Sequence, residues 1–288
     1  MNGSQHFLGK LQRRKLLVKD KRRGIQKGQR KANTFGSSLE FSDFRLYQPG
    51  DDVRQIDWNI YGRTQKHYIK RFLDEQDISV SIYLDCTSSM RILPGKWSAA
   101  KRLAAYFSFI ILNSGDKLLF FPVSSNTMLP IRRKGALYAK SIFQDIMTLE
   151  DVSRTGEFSE HLASLLVKNS QLAIIISDGM EPFEKMEGLF KKLQSLKQEI
   201  WFFQVLSAEE LEPDYSQDMR LIDSETEEYV NVSMNQAIKT EYESRLKKQN
   251  GQLETLCRCY GGQYLLLSEK QDLQTYFLHD LPAKGLVR

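Results

Sequence analysis

Cysteine is scarce in this sequence of 288 residues: Cys86, Cys257 and Cys259 are the complete set. An odd, sparse set is no disulfide framework, and it fits a reducing compartment. Cys257 and Cys259 stand two apart, which is not the spacing of a zinc knuckle or a CxxC redox pair. Histidine is equally thin. His6, His67, His161 and His279 are scattered, whereas a structural zinc site needs four convergent ligands. Long apolar runs are missing too. A membrane-spanning helix needs about 20 such residues, and the best candidate, Leu103 to Leu112, is too short. The N-terminus carries no signal-peptide core, because Leu16-Leu17-Val18 is flanked by charge on both sides. A cytoplasmic protein is the expectation. Internal repeats, low-complexity segments and a Ser/His/Asp or Cys/His triad are also absent from the sequence.

What is present is a globular composition, with 41% hydrophobic and 11% aromatic residues. The formal net charge of +5 conceals an asymmetry. Residues 1–31 hold 11 basic residues and one acid, Asp20, a net of +10, which leaves −5 on the remainder. A basic segment, 1–31, therefore precedes an acidic body. It has three readings: a phosphate-binding arm, a membrane-surface contact through the stripe Leu8, Leu11 and Leu16, or packing on the protein's own body or on a partner. No base-reading motif accompanies it. Nucleic acid is disfavoured, and a peripheral position at the inner membrane face ranks second.

From residue 79 onward, short β-rich runs alternate with longer helical ones. Strands are expected at Ser79–Leu84, Lys117–Val123, Leu172–Ile176, Ile200–Leu206 and Gln263–Leu267. Helices are expected at Trp97–Leu112, Gly135–Leu149, Ser159–Lys168, Phe183–Leu196, Met234–Tyr260 and Asp272–Leu278. The strand runs are continuously apolar, as strands covered on both faces must be. The alternation predicts an α/β fold with a doubly wound, mainly parallel sheet and helices on both faces. Residues 207–233 break the rhythm, and Leu221-Ile222 with Tyr229–Val232 suggest a hairpin. Residues 24–78 carry glycine and charge with one expected strand, His67–Leu73.

The sharpest chemistry lies where the first apolar strand ends, at Asp85-Cys86-Thr87-Ser88-Ser89. In an open α/β sheet, ligands bind outside the carboxyl ends of the strands. Asp85, Thr87 and Ser89 place a carboxylate and two hydroxyls at alternate positions, a set suited to Mg²⁺ (or Mn²⁺), which takes oxygen ligands and few carboxylates. A second strand ends in Ser177-Asp178-Gly179, and Asp178 can reach the same point. The rival reading makes Asp85 and Thr87 mere caps of the following turn. Two polar loops after two apolar strands favour the cation.

Asp85-x-Thr87-x-Ser89 with Ser177-Asp178-Gly179 resembles the metal-ion-dependent adhesion site of von Willebrand factor A domains. Thr87 replaces the usual first serine of that motif but keeps the oxygen. The resemblance implies a further threonine ligand between the two motifs. Thr155 is the local candidate, although its spacing to Phe158 is one residue longer than usual.

Upstream, Glu40-Phe41-x-x-x-Arg45-x-Tyr47-x-x-Gly50-Asp51-Asp52-x-Arg54-x-Ile56-Asp57-Trp58, continued by Arg63, Lys70 and Glu75, resembles the signature of the domain of unknown function 58 family. The resemblance spans about residues 24–265. It implies a von Willebrand factor A-like domain at 79–288, with a signature region at 32–78 packed on it. It also implies a protein partner, a MoxR-type AAA+ ATPase with its client, in metal-dependent assembly or maturation. The signature itself reads as a structural network in which Gly50-Asp51 turns, arginine pairs with carboxylate and Trp58 packs on the sheet. A docking surface using Asp51 and Asp57 is the alternative.

The leading expectation is therefore a non-enzymatic, metal-dependent interaction module whose Mg²⁺ is held weakly without a partner. The alternative is a Mg²⁺-dependent phosphoester hydrolase using Asp85. It is weakened by Thr87 standing where such enzymes place a second aspartate. Cys86 reads as a small core residue. Lys96, in a segment only superficially like a P-loop, is expected to start a helix and cover the sheet edge.

Overall fold

The computed structural model describes residues 2–19, 41–72, 77–124, 130–149, 157–213, 219–222, 229–232 and 236–288. The chain separates into two compact units, Met1–Arg22 with Ile78–Arg288, and Arg23–Asp77. Among the described residues, no helix is long and apolar enough to cross a membrane.

The larger unit begins with helix α1 (Asn2–Leu11). In the smaller unit, β1 (Phe41–Leu46) pairs antiparallel with β2 (Tyr68–Phe72), and α2 (Trp58–Thr64) lies between them in sequence. The chain re-enters the larger unit with β3 (Ser79–Asp85), the short α3 (Ser88–Arg91), α4 (Pro94–Asn113), β4 (Lys117–Val123), β5 (Ile131–Lys134) and α5 (Ala139–Met147). There follow α6 (Phe158–Leu165), β6 (Leu172–Ser177), α7 (Phe183–Ser195), β7 (Glu199–Leu206) and the single turn α8 (Ala208–Leu211). A small hairpin of β8 (Met219–Ile222) and β9 (Tyr229–Val232) precedes α9 (Gln236–Cys259) and β10 (Gln263–Ser268). Short helical turns from Leu273 to Ala283 close the unit.

The main sheet runs β10-β7-β6-β3-β4-β5. Its first five strands are mutually parallel, and only β5 is antiparallel to its neighbour, β4. The expected doubly wound sheet is thus present. The added edge strand β5 lies at the boundary of the segment expected to be helical from Gly135. Its sequence, Ile-Arg-Arg-Lys, is charged, as suits an edge exposed to water.

The period-two side-chain alternation distributes each apolar strand between two cores. On β6, Leu172, Ile174 and Ile176 join the layer beneath α4 and α5, while Ala173 and Ile175 join the layer beneath α6, α7 and α9. Helix α4 is buried over most of its circumference, from Trp97 to Leu112. A helix apolar on nearly all sides needs cover on every side. Here the sheet, α5 and α1 supply it.

Of the three readings of the basic segment, packing on the protein's own body is the one that residues 7–19 meet; residues 20–31 lie outside the described residues. Phe7 is buried against Tyr106, edge to face at 4.9 Å, and Leu11 and Leu16 are buried in the same core. Leu16 bridges antiparallel to Val287, with the Lys15 and Leu17 amides donating to the carbonyls of Arg288 (3.1 Å) and Leu286 (2.8 Å). The Lys19 amide donates to the buried carboxylate of Glu199 at 2.6 Å. The apolar stripe read as a membrane contact is consumed inside the protein's own fold. Charge dominated the sequence of this segment and masked the amphipathic helix within it.

Candidate functional site at the carboxyl ends of β3 and β6

Parallel pairing places Leu84 opposite Ile176, so Asp85 and Ser177 leave the sheet side by side. Ser177 Oγ donates to Asp85 Oδ2 at 2.6 Å. Asp85 Oδ1 accepts from the Thr87 amide (2.9 Å) and from Thr87 Oγ1 (2.7 Å). Ser89 Oγ lies 3.1 Å from Thr87 Oγ1, so Asp85, Thr87 and Ser89 form one continuous line of oxygens. Asp85, Thr87 and Asp178 are all buried. Burial, and next the negative charge of Asp178, push the Asp85 carboxyl up to about 7, against the hydrogen bonds from Ser177 and Thr87. Asp178 takes the Met180 amide on Oδ1 (3.1 Å), and its backbone carbonyl accepts from Gln204 Nε2 (2.8 Å).

Gly179 turns the chain away with φ +65°, a left-handed conformation. A Cβ there would stand 2.7 Å from Leu253 Cδ1 and 3.3 Å from Phe202 Cζ. Gly179→Ala is expected to cost about 2 kcal/mol, combining left-handed strain with a clash. Urea unfolding measures it, and a loss below about 0.5 kcal/mol would show that the turn relaxes freely.

One residue that brings charge to the site was missed in the sequence. Lys96, third residue of α4, was expected to cover the sheet edge; instead its side chain is 0% exposed. Its Nζ donates to Asp178 Oδ2 (2.9 Å), Glu210 Oε1 (2.7 Å) and the Ser89 carbonyl (3.3 Å). Burial alone would push this ammonium down, but Asp178 and Glu210 outweigh it and the net shift is upward. Glu210 is itself fixed by a capping box, with the Ser207 amide on Oε2 (2.7 Å) and its own amide on Ser207 Oγ (3.0 Å). No sequence spacing links 96 to 178 or 210, because those distances are set by the sheet crossover.

Other expected residues take the following places. Thr155 lies outside the described residues, as do Glu40 and Glu75. Cys86 is buried, with its thiol pushed up to about 12 by burial, which fits a core residue and not a nucleophile. In the smaller unit, Arg45 pairs with Asp51 Oδ1 (2.9 Å), whose Oδ2 accepts the Gln48 amide (2.8 Å), and Gly50 sits in that turn at φ +101°. Asp52 caps a single 3-10 turn through the Arg54 amide (3.0 Å), and the Arg54 side chain is exposed. Asp57 caps α2 through the Asn59 and Ile60 amides and pairs with Lys70 (2.9 Å). The Lys70 bond, working against burial, holds the Asp57 carboxyl below its usual range. Trp58 is 61% exposed. It stands edge-on to Tyr61 and His67, and Tyr47 also meets His67 edge-on at 6.2 Å. Asp51, Asp52 and Asp57 are thus engaged in local turns, caps and ion pairs.

A five-strand parallel sheet with one antiparallel edge and helices on both faces give the larger unit a von Willebrand factor A-like α/β fold, and the Asp-x-Thr-x-Ser line lies at the ends of its central strands. The chain belongs to the family described as "Protein of unknown function DUF58", whose model matches residues 43–252. Two relatives are the "Uncharacterized protein Mb1516" of Mycobacterium bovis and the "Uncharacterized protein Rv1480" of Mycobacterium tuberculosis. Each is 24% identical over 267 residues, covering 89% of this chain and 83% of the relative. Among solved structures, the chain is similar to an aerotolerance-related membrane protein from Bacteroides fragilis. The identity is 14%, over 72% of this chain and 99% of that one, with a TM-score of 0.43. It is also similar to the SpRpn10 VWA domain, at 10% identity over 73% and 95%, with a TM-score of 0.38.

Proposed function

We propose that the larger unit is a metal-dependent protein-interaction module and that its partner is a MoxR-type AAA+ ATPase acting with a client protein. The convergence of Asp85, Thr87, Ser89 and Asp178 at two neighbouring strand ends carries this reading. Asp85, Asp178 and Glu210 bring three formal negative charges, and Lys96 returns one positive charge. With Asp85 ionised, the state that a bound dication favours, the remaining −2 is the complement of one divalent cation. Two carboxylates and two hydroxyls are the hard oxygen donors that Mg²⁺ or Mn²⁺ selects.

Asp85, Thr87, Ser89 and Asp178 would hold the ion, which would supply a coordination position for a carboxylate of the partner. The protein's own contribution is preorganisation. Ser177 and the Thr87 amide fix the Asp85 carboxylate, Gln204 fixes the Asp178 backbone, and Gly179 supplies the left-handed turn that follows Asp178. Such a contact combines charge with direction, which suits reversible docking. The family resemblance supplies the ATPase as partner.

The test is recovery of the ATPase on the immobilised chain. Wild type in Mg²⁺ should retain it at least tenfold better than wild type in EDTA or Asp85→Ala in Mg²⁺. Equal recovery in all three lanes would refute the metal-dependent contact.

A further inference from the structure

The interior ammonium at this site stands beside the position expected for the cation, and among the described residues it is unlike the other lysines. Most lysines keep their charge in water and bury only the stem. Lys96 buries its charge as well, on the first turn of α4, where the helix dipole disfavours a cation. A buried charge persists only when it is paired. Its partners are one carboxylate of the cation site, Asp178, and one outside it, Glu210.

Both Asp178 oxygens are taken in this arrangement, Oδ1 by the Met180 amide and Oδ2 by Lys96. A dication placed on Asp178 would meet the ammonium at close range, in surroundings where like charges are poorly screened. The lysine nevertheless has somewhere to go. Glu210 Oε1 is already at 2.7 Å and the Ser89 carbonyl at 3.3 Å. Glu210 is anchored at its backbone and its other oxygen by Ser207, and its carbonyl accepts from Tyr242 Oη at 2.9 Å. A fixed acceptor at the rim can keep the ammonium paired after it leaves Asp178.

We propose that Lys96 is a built-in competitor of the divalent cation: it bridges Asp178 and Glu210 in the metal-free protein and withdraws to Glu210 when a cation binds. This rests on the metal-dependent reading above and adds to it a device that sets cation affinity. The lysine holds the two strand ends together without metal, and it lowers the affinity so that loading responds to the supply of cation and partner. Lys96 is a positioning residue in this scheme and never a ligand.

The experiment is Mn²⁺ titration of the full chain, followed by the loss of the free-ion paramagnetic resonance signal, together with thermal melting in EDTA and in saturating Mn²⁺. Lys96→Met should bind Mn²⁺ at least tenfold more tightly than wild type. It should melt lower than wild type in EDTA and recover in Mn²⁺. Glu210→Gln, which removes the withdrawal point at the rim, should bind at least threefold more weakly than wild type. It should have less than a twofold effect when Lys96 is already Met. If wild type binds Mn²⁺ and Lys96→Met binds no tighter, the competition is overturned while the metal reading stands. If Lys96→Met binds and wild type does not, the competition stands and metal-dependent docking by wild type falls. If neither binds, both are overturned. Should Lys96→Met fail to fold even in Mn²⁺, an unchanged affinity in Glu210→Gln overturns the proposal on its own.

Discussion

Asp178→Ala is expected to destabilise the metal-free chain by about 3 kcal/mol, as removing one member of a buried ion pair does. The variant leaves the fully buried Lys96 ammonium with half its countercharge and strips the Met180 amide of its acceptor. Glu210 remains, which keeps the loss toward the lower end of the range. Asp85→Asn should behave differently. Among the described residues Asp85 has no cation partner, and its carboxyl is pushed up by burial and by Asp178. Neutralising it relieves that repulsion while an amide oxygen can still accept from Ser177 or Thr87, so a change of about 1 kcal/mol or less follows. Urea unfolding of both variants in EDTA reads the difference. Equal losses would mean that the Lys96 pair is not what holds the two strand ends together.

Phe7→Ala carries the second large effect, a loss of about 4 kcal/mol, typical of deleting a fully buried aromatic ring. The ring fills the space beside α4 and meets Tyr106 edge to face. The control is the double variant Lys10→Gln and Arg13→Gln. It removes two exposed positive charges from the same segment and should change stability by about 0.5 kcal/mol or less. A segment acting only as an electrostatic arm would show the reverse: no stability effect of Phe7→Ala, and all consequences in salt-dependent binding. Chemical unfolding of the two variants decides between these outcomes.

The parts of the fold legible in the sequence were those fixed by local pattern. The runs at Lys117–Val123 and Leu172–Ile176 are continuously apolar because both faces are covered, and they appear as β4 and β6 with bounds the same or one residue longer. The Leu221–Val232 hairpin followed from two short β-rich runs around a polar turn. Strand β5 was not legible, since three consecutive basic residues carry no apolar alternation. Helix α1 was hidden because its buried positions, Phe7 and Leu11, are spaced among polar residues. For the site, Asp85, Thr87 and Ser89 could be read from spacing, since a single turn brings them together. Lys96 and Glu210 could not. Their meeting is produced by three separate elements that converge at one end of the sheet, and pairing over such sequence distances leaves no local trace.

The antiparallel bridge between Leu16 and Val287 also has a consequence for biosynthesis. The two partners lie 271 positions apart, so the bridge cannot form while the chain is still being synthesised between them. Until residues 286–288 leave the ribosome, the backbone groups of residues 15–17 lack these partners. The main sheet, by contrast, can assemble from β3 through β7 beforehand. Closure of this seam thus follows the synthesis of every strand of the main sheet. A chain interrupted before it would present an open edge to chaperones and proteases.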